Sequence, residues 1–272
     1  MAHTYAFPLC VQLPLPANYQ QDEDFCATMA LLQELGFYGV ELNITDFTQP
    51  AEELVRFLAG YGLKLSMIAT GGYAGKQGLS LSSLDEAVRT RTVAEMRTII
   101  DYAAATGAGV ICGFIKGVAG MPMEEATRQM DRSLEELSQQ VKESGVDVYL
   151  EATNHYEATL ANRVQDGVEF SRKWGDIYRV LPDTYHMNIE EVDMAAALVR
   201  YQGYYRNLHI SDNNRYFPGF GAIDFAAVLC WLKAMGYTGT MSIEGRNWGT
   251  LRDDIRASAA YMEEASKKTA FV

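Results

Sequence analysis

The chain has 272 residues, of which 48% are hydrophobic and 21% are charged, and it contains only seven prolines. This composition excludes a disordered or fibrous protein and provides for a sizeable core. The formal net charge of −12 would repel phosphate backbones and anionic lipid headgroups, so we expect neither a nucleic acid nor a membrane as partner. A neutral small molecule or a metal cation suits such a surface better.

Short apolar runs alternate with longer amphipathic stretches along the whole chain, and no low-complexity linker interrupts them. Glycines at the ends of helical patterns, such as Gly107 in ATGAGV and Gly145 in ESGVDV, predict left-handed helix caps. The predicted strands are 4–11, 38–44, 63–69, 108–115, 146–151, 177–182, 204–210 and 239–244. Eight βα units in a chain of this length predict a single-domain TIM barrel over residues 1–272.

Two further features of the sequence bear on class and location. The stretch GGYAGKQG at 71–78 lacks the GK[ST] of a phosphate-binding loop, so we interpret it as a mobile loop on the catalytic face. The amino terminus has no signal-peptide pattern and the four cysteines form no CxxC pair, which favours a cytoplasmic protein with free thiols.

Four consecutive predicted strands end on residues that can bind a metal: Glu151, Asp183, His209 and Glu244. A single strand-end glutamate commonly caps a helix, and a lone histidine commonly satisfies a core hydrogen bond. Three carboxylates around one barrel axis, however, would be costly to bury without a cation. The set therefore predicts one divalent metal, with Mn²⁺ the first expectation and Co²⁺, Mg²⁺ or Zn²⁺ as alternatives.

Several motifs in the second half of the chain resemble those of the xylose isomerase-like barrels, and among them the ketose 3-epimerases. These motifs are LEATNHYE at 150–157, DTYHMNIEE at 183–191, and the H-x-x-x-x-N-R and P-G-x-G patterns between 209 and 221. The strand-eight Glu244 completes the resemblance. In the first half of the chain the resemblance extends only to the barrel architecture.

The resemblance implies roles for individual residues. It makes Glu151, Asp183, His209 and Glu244 the metal ligands, and Glu157, His186 and Arg215 the groups that contact the sugar. It implies that Glu151 and Glu244 face opposite sides of C3, where one removes a proton and the other returns it. It also implies a sugar substrate and a homodimer or homotetramer.

Four other residues are candidates for the substrate pocket. Phe7 and Phe114 are expected to line it as apolar surfaces near strand ends. Lys116 and Arg246 depart from the family pattern, and two interpretations stay open for them. They are either ordinary charges on the rim or an anion pocket for a phosphate or carboxylate of the substrate.

The same barrel hosts other activities, so the fold alone does not decide the function. A DNA-repair endonuclease would need more histidines than the four present, and a basic groove. A 1,2-isomerase of sugars or hydroxy-keto acids, or an inosose-type dehydratase, could use the same metal site. A non-catalytic sugar-binding barrel would be expected to lack one of the ligands, and all four are present.

Overall fold

The computed structural model describes residues 5–269, which form an eight-stranded parallel barrel surrounded by helices. The strands are β1 (Leu9–Pro14), β2 (Gly39–Asn43), β3 (Lys64–Ala69), β4 (Gly109–Cys112), β5 (Val148–Glu151), β6 (Tyr178–Leu181), β7 (Asn207–Ile210) and β8 (Thr240–Ile243). Their order is β6-β5-β4-β3-β2-β1-β8-β7. The predicted single-domain TIM barrel is confirmed for the described residues, and residues 1–4 and 270–272 lie outside them.

Within residues 5–269, ten α-helices lie in the connections between and after the strands. They are α1 (Glu23–Glu34), α2 (Ala51–Gly60), α3 (Gly71–Gln77), α4 (Glu86–Thr106), α5 (Met123–Ser144), α6 (Val164–Lys173), α7 (Thr184–Glu190), α8 (Met194–Arg200), α9 (Phe225–Ala234) and α10 (Leu251–Lys268). A short 3₁₀ helix, Phe114–Lys116, follows β4. Gly107 and Gly145 adopt the left-handed conformation expected at the ends of α4 and α5.

The barrel closes between β6 and β7, where the pairing is reduced to a single bridge. Asp183 and His209 form this bridge, and the His209 backbone N–H donates to the carbonyl of Pro182 at 2.9 Å. Two predicted metal ligands therefore lie side by side at the closure of the barrel, because the last residues of parallel strands meet at one edge.

The barrel interior divides into an apolar half and a polar half. Met67, Ala69, Ile111, Tyr149 and Leu181 from β3 to β6 form a small apolar cluster that is separate from the main core between barrel and helices. The interior positions of β1, β2, β7 and β8 instead carry polar side chains: Gln12, Glu41, Asn43, Asn207, His209 and Ser242. The polar half supplies hydrogen bonds beneath the mouth of the barrel.

Two sequence predictions are corrected by the fold. The first strand was predicted at 4–11 but begins at Leu9 and runs to Pro14, and residue 4 lies outside the described residues. The segment 71–78, predicted as a mobile loop, contains helix α3. The backbone N–H of Ala74 donates to the Thr70 carbonyl, and Tyr73 donates a 2.7 Å hydrogen bond to Glu95, which fixes the segment against α4.

None of the helices within residues 5–269 combines the length and the apolar character that a membrane crossing requires.

The close contact between β2 and β3 generates a prediction. A Cβ on Gly39 would lie 2.2 Å from the backbone carbonyl oxygen of Lys64, so Gly39→Ala must push two barrel strands apart. We expect it to lower the free energy of unfolding by about 1–3 kcal/mol or more in urea denaturation. Gly60→Ala, at the end of α2 with no heavy atom within 4 Å of the added carbon, is the matched control. Equal stability of Gly39→Ala and Gly60→Ala would contradict the close approach of Gly39 to the Lys64 carbonyl.

Candidate active site

Four side chains converge at the carboxyl ends of β5 to β8. Glu151 is the last residue of β5, Asp183 follows β6, His209 lies in β7 and Glu244 follows β8. One ligand atom from each lies within 4.8 Å of the others. The residues predicted from the sequence as metal ligands are therefore brought together in one cluster, which can hold a metal ion.

The imidazole of His209 is oriented by a carboxylate beneath it. Its Nε2 lies 2.8 Å from Glu41 Oε2, and its Nδ1 lies 2.8 Å from Glu244 Oε2. Burial would lower the pKa of His209, but Glu41 and Glu244 more than offset this and raise it well above its usual range. A cation that binds Nδ1 therefore replaces a proton there, while Nε2–H continues to donate to Glu41.

The atoms that face one another in the cluster are poorly satisfied by hydrogen bonds. Among the described residues, no well-formed hydrogen bond reaches Glu151 Oε1, His209 Nδ1 or Glu244 Oε2, although all three are buried. Buried polar atoms are normally satisfied, and converging carboxylates are costly to bury. Carboxylate oxygens with one imidazole nitrogen suit a divalent cation such as Mn²⁺, Co²⁺, Mg²⁺ or Zn²⁺, so the donor set fits a metal.

Arg215 adds positive charge to the cluster. Its Nη1 lies 2.6 Å from Asp183 Oδ2, its Nη2 lies 3.0 Å from Glu244 Oε2, and its guanidinium packs 5.0 Å from the ring centre of Tyr185. Burial would lower the pKa of Arg215, but Glu244 and Asp183 raise it well above its usual range. The side chain is therefore a fixed cation at the mouth of the barrel.

The loop that presents Arg215 is held by one buried carboxylate. Asp212 accepts hydrogen bonds from the backbone N–H groups of Gly219, Gly221 and Ile223 at 2.8–3.0 Å. Arg215 itself has a positive φ of 65°, a conformation that is uncommon for a residue with a side chain. The P-G-x-G pattern thus serves a loop folded around Asp212, which positions the guanidinium.

His186 presents a proton to the cluster. Its Nδ1 accepts a hydrogen bond from the backbone N–H of Asn154 at 3.2 Å, so in the neutral ring the proton is on Nε2. Nε2 lies 4.0 Å from Glu151 Oε1 and 3.9 Å from Asp183 Oδ2. The Asn154 amide also contacts Nδ1 and donates to Glu157 Oε1 at 3.1 Å, which links His186 to Glu157.

A cavity of about 350 Å³ opens above the cluster. Glu151, His186, Arg215 and Glu244 line one side of it, and Phe114 lies on its wall as predicted. A larger groove of about 740 Å³ lies elsewhere, beside α1 and the start of α10, and is lined by no residue of the cluster. The chemistry therefore favours the smaller cavity.

The structure places the other predicted pocket residues differently. Phe7 precedes β1 and packs against Tyr237 at the opposite end of the barrel, so it does not line the cavity. Lys116 is completely buried and donates to Thr153 Oγ1 at 2.7 Å, rather than lying on the rim or facing a substrate anion. Arg246 is exposed and is absent from the cavity wall. Glu157 is also absent from the wall and accepts a hydrogen bond from the Asn154 amide.

Sequence reasoning missed two residues that shape the cluster. Glu41 is buried inside the barrel, and a glutamate within the apolar run YGVELNI was the available signal. Gly113 lies so close to Glu151 that an added Cβ would be 2.3 Å from Oε2. The sequence CGFIKG offered no sign of this approach, because it depends on the fold.

Comparison with known proteins identifies the family. The family model described as xylose isomerase-like TIM barrel matches residues 29–265. The chain belongs to this family. It is 32% identical to an L-ribulose 3-epimerase of Mesorhizobium japonicum, over 89% of this chain and 79% of that protein. It is 30% identical to a 3-dehydro-D-guloside 4-epimerase of Escherichia coli, over 82% of this chain and 88% of that protein.

A solved structure has the same architecture. The crystal structure of 3-keto-D-glucoside 4-epimerase from Escherichia coli superposes with a TM-score of 0.81 at 24% identity. The match covers 95% of this chain and 99% of the other. The family model confirms the resemblance seen in the second half of the sequence, and the superposition shows the same fold over 95% of the chain.

The contact between Glu41 and His209 gives a testable prediction. Glu41→Gln removes the charge that holds the imidazole, and we expect it to weaken Mn²⁺ binding by about 10- to 100-fold. Titration calorimetry with Mn²⁺ measures this directly. Glu169→Gln makes the same chemical change on the exposed face of α6 and is the control. If Glu41→Gln binds Mn²⁺ with unchanged affinity, Glu41 does not support the metal site.

A second prediction follows from the approach of Gly113 to Glu151. Gly113→Ala must displace the Glu151 carboxylate, because the added Cβ would overlap with Oε2. We expect Mn²⁺ affinity to fall by roughly tenfold or more while the melting profile stays cooperative. Gly75→Ala in α3, where nothing lies within 4 Å of the added carbon, should bind Mn²⁺ like the wild type. Wild-type affinity in Gly113→Ala would show that Glu151 is not a ligand.

Proposed function

We propose that this protein is a divalent-metal-dependent sugar epimerase that inverts the hydroxyl-bearing carbon next to a ketone, with C3 of a ketose as the first expectation. The observation that carries the proposal is the pair of glutamates, Glu151 and Glu244, which reach one cavity from β5 and β8. Epimerisation needs two groups that exchange a proton with the same carbon from different sides. Two carboxylates in one cavity meet that need.

The chain's own residues perform the proton transfers. One glutamate removes the proton from the carbon, and the electron pair moves to the neighbouring carbonyl oxygen to form an enediolate. The other glutamate, in its protonated form, then donates its proton to the opposite face, and proton exchange with solvent returns both carboxyl groups to their starting states. Arg215 and the Nε2–H of His186 stabilise the negative charge that develops on the substrate oxygens. The metal, held by Glu151, Asp183, His209 and Glu244, would polarise the carbonyl and so acidify the neighbouring C–H.

Two relatives at 30% identity or more, each matched over more than two thirds of its own length, support this class of reaction. One is named as a 3-epimerase of L-ribulose and the other as a 4-epimerase of a 3-dehydro-glycoside. In both cases the carbon that inverts is adjacent to a carbonyl, at C2 in the ketose and at C3 in the dehydro sugar. Inversion at C4 of a 3-dehydro-glycoside is therefore the second candidate function.

The other candidate activities have less support. A 1,2-isomerase moves a proton between neighbouring carbons and a dehydratase expels a hydroxyl, and neither requires two bases at one carbon. Non-catalytic sugar binding would not explain four converging residues of which three have a buried facing atom without a well-formed hydrogen bond. Mn²⁺ as the metal and a homodimer or homotetramer as the assembly remain predictions, to be tested by metal analysis and by light scattering.

The experiment that tests the proposal uses deuterium as a label. Mn²⁺-loaded protein is incubated in D₂O with L-ribulose, D-psicose and 3-dehydro-glycosides, and the products are analysed by NMR. An epimerase incorporates deuterium at the inverted carbon and yields the epimer. Formation of an aldose would identify a 1,2-isomerase, and loss of water a dehydratase. The absence of any exchange or product would reject the proposal.

The proposed roles of the two glutamates predict a different effect on each face of the reacting carbon. Glu151→Gln and Glu244→Gln should each reduce epimerisation by about 10²- to 10⁴-fold, because one of the two proton transfers is lost. A variant that retains its metal should still exchange the substrate proton with solvent for one epimer and not the other. Metal content and exchange are measured on the same sample, with both epimers as substrates.

His186→Ala is the comparison for this experiment. His186 is assigned no proton transfer to carbon, so its loss should lower turnover of both epimers together and leave no face-selective exchange. A glutamate variant that keeps its metal and epimerises at the wild-type rate would exclude that glutamate as an acid or base.

A further inference from the structure

The cavity wall across from Glu151 is polar but uncharged. Gln12 in β1 and Asn43 at the end of β2 line this wall. In an eight-stranded barrel β1 lies opposite β5, so a substrate held near Glu151 would extend toward these two amides. Both side chains are half-buried, and the proposed proton transfers use neither of them.

The backbone fixes how the two amides point. The N–H of Gly72 can only donate, and it donates to Asn43 Oδ1 at 3.2 Å. The Asn43 Nδ2 group therefore faces Gln12 and donates to its Oε1 at 3.0 Å. This leaves the Nε2 of Gln12, with two N–H groups, without a protein acceptor among the described residues. The Gln12 amide is thus held as a donor at the cavity wall.

The charges around the cavity decide which ligand group suits this donor. Arg215 is the only lysine or arginine on the described cavity wall, and it is engaged by Asp183 and Glu244. The wall formed by Gln12 and Asn43 therefore offers no cation to a phosphate. A neutral hydroxyl oxygen, in contrast, can accept a hydrogen bond from the Gln12 amide without bringing a charge into the cavity.

We propose that Gln12, oriented by Asn43, is a hydroxyl-binding subsite that determines specificity for the part of the sugar away from the reacting carbon. This inference rests on the proposed function. Because the amide contacts a hydroxyl that does not react, it contributes equally to the ground state and the transition state. Its loss therefore raises KM and leaves kcat nearly unchanged.

The test compares Gln12→Leu with the wild type on the ketose that is turned over best. Leucine keeps the approximate volume and removes both donors, so KM should rise about 3- to 10-fold with kcat within about twofold. Gln165→Leu on the exposed face of α6 is the matched control and should match the wild type. An equal KM for Gln12→Leu and the wild type would overturn the subsite.

Deoxy analogues of that ketose identify the contact. Each analogue lacks one hydroxyl. For the analogue that lacks the hydroxyl bound by Gln12, the wild type and Gln12→Leu should have the same KM, because neither protein can make that hydrogen bond. A merely structural effect of the substitution would persist with every analogue. If the difference persists throughout the series, Gln12 binds no hydroxyl.

Binding of ribitol separates the subsite from the reaction. Ribitol has hydroxyls but no carbonyl, so its affinity in calorimetry does not depend on turnover. If the wild type turns over no ketose, the proposed function fails, and the subsite still predicts about 3- to 10-fold weaker ribitol binding by Gln12→Leu. Equal ribitol binding by the two proteins, or none by the wild type, would then overturn the subsite as well.

Discussion

Negative charge at one end of the barrel is the constraint on which the site depends. Glu41, Glu151 and Asp183 are buried and Glu244 is half-buried, all within reach of His209. Such a group of carboxylates is unstable in a low-dielectric interior unless cations and donors compensate it. Arg215 and Lys116 each supply a positive charge. A divalent cation bound by the four residues would supply the rest.

Lys116 illustrates how far this compensation extends. Burial lowers the pKa of its ammonium to about 8, although Glu151 favours the charged form. A lysine is seldom buried without a carboxylate nearby, so its position beneath the cavity is consistent with the excess of acids there. The residue thus belongs to the electrostatics of the cluster rather than to recognition of an anionic substrate.

Much of the architecture could be predicted because it depends on local signals. Apolar runs, most of them preceded by a glycine, predicted eight strands, of which only the first was displaced, and the geometry of parallel strands placed Glu151 and Asp183 together. The first strand was predicted too early in the chain because Tyr5 and Phe7 alternate like strand residues. They are buried instead by packing against Phe37 and Tyr237, outside the sheet. Such burial depends on distant residues and leaves no periodic signal of its own.

The features that sequence reasoning missed are long-range contacts. Glu41 contacts His209 across 168 positions of the chain, and Asn43 is oriented by a backbone N–H of α3, a helix that a glycine-rich sequence did not predict. Neither contact has a spacing that a motif could record. The four residues of the predicted metal site, in contrast, each lie at or next to the carboxyl end of a strand, so they could be found.

In the proposed mechanism, reaction and recognition use different strands of the barrel. The glutamates that would transfer protons come from β5 and β8, whereas the amides that would bind a distal hydroxyl come from β1 and β2. A sugar anchored by a different hydroxyl would present a different carbon to the same two carboxylates. Changes on β1 and β2 can therefore alter which carbon is inverted while the metal ligands stay in place. Members of one family could in this way invert different carbons next to a carbonyl, as the names of the two relatives suggest.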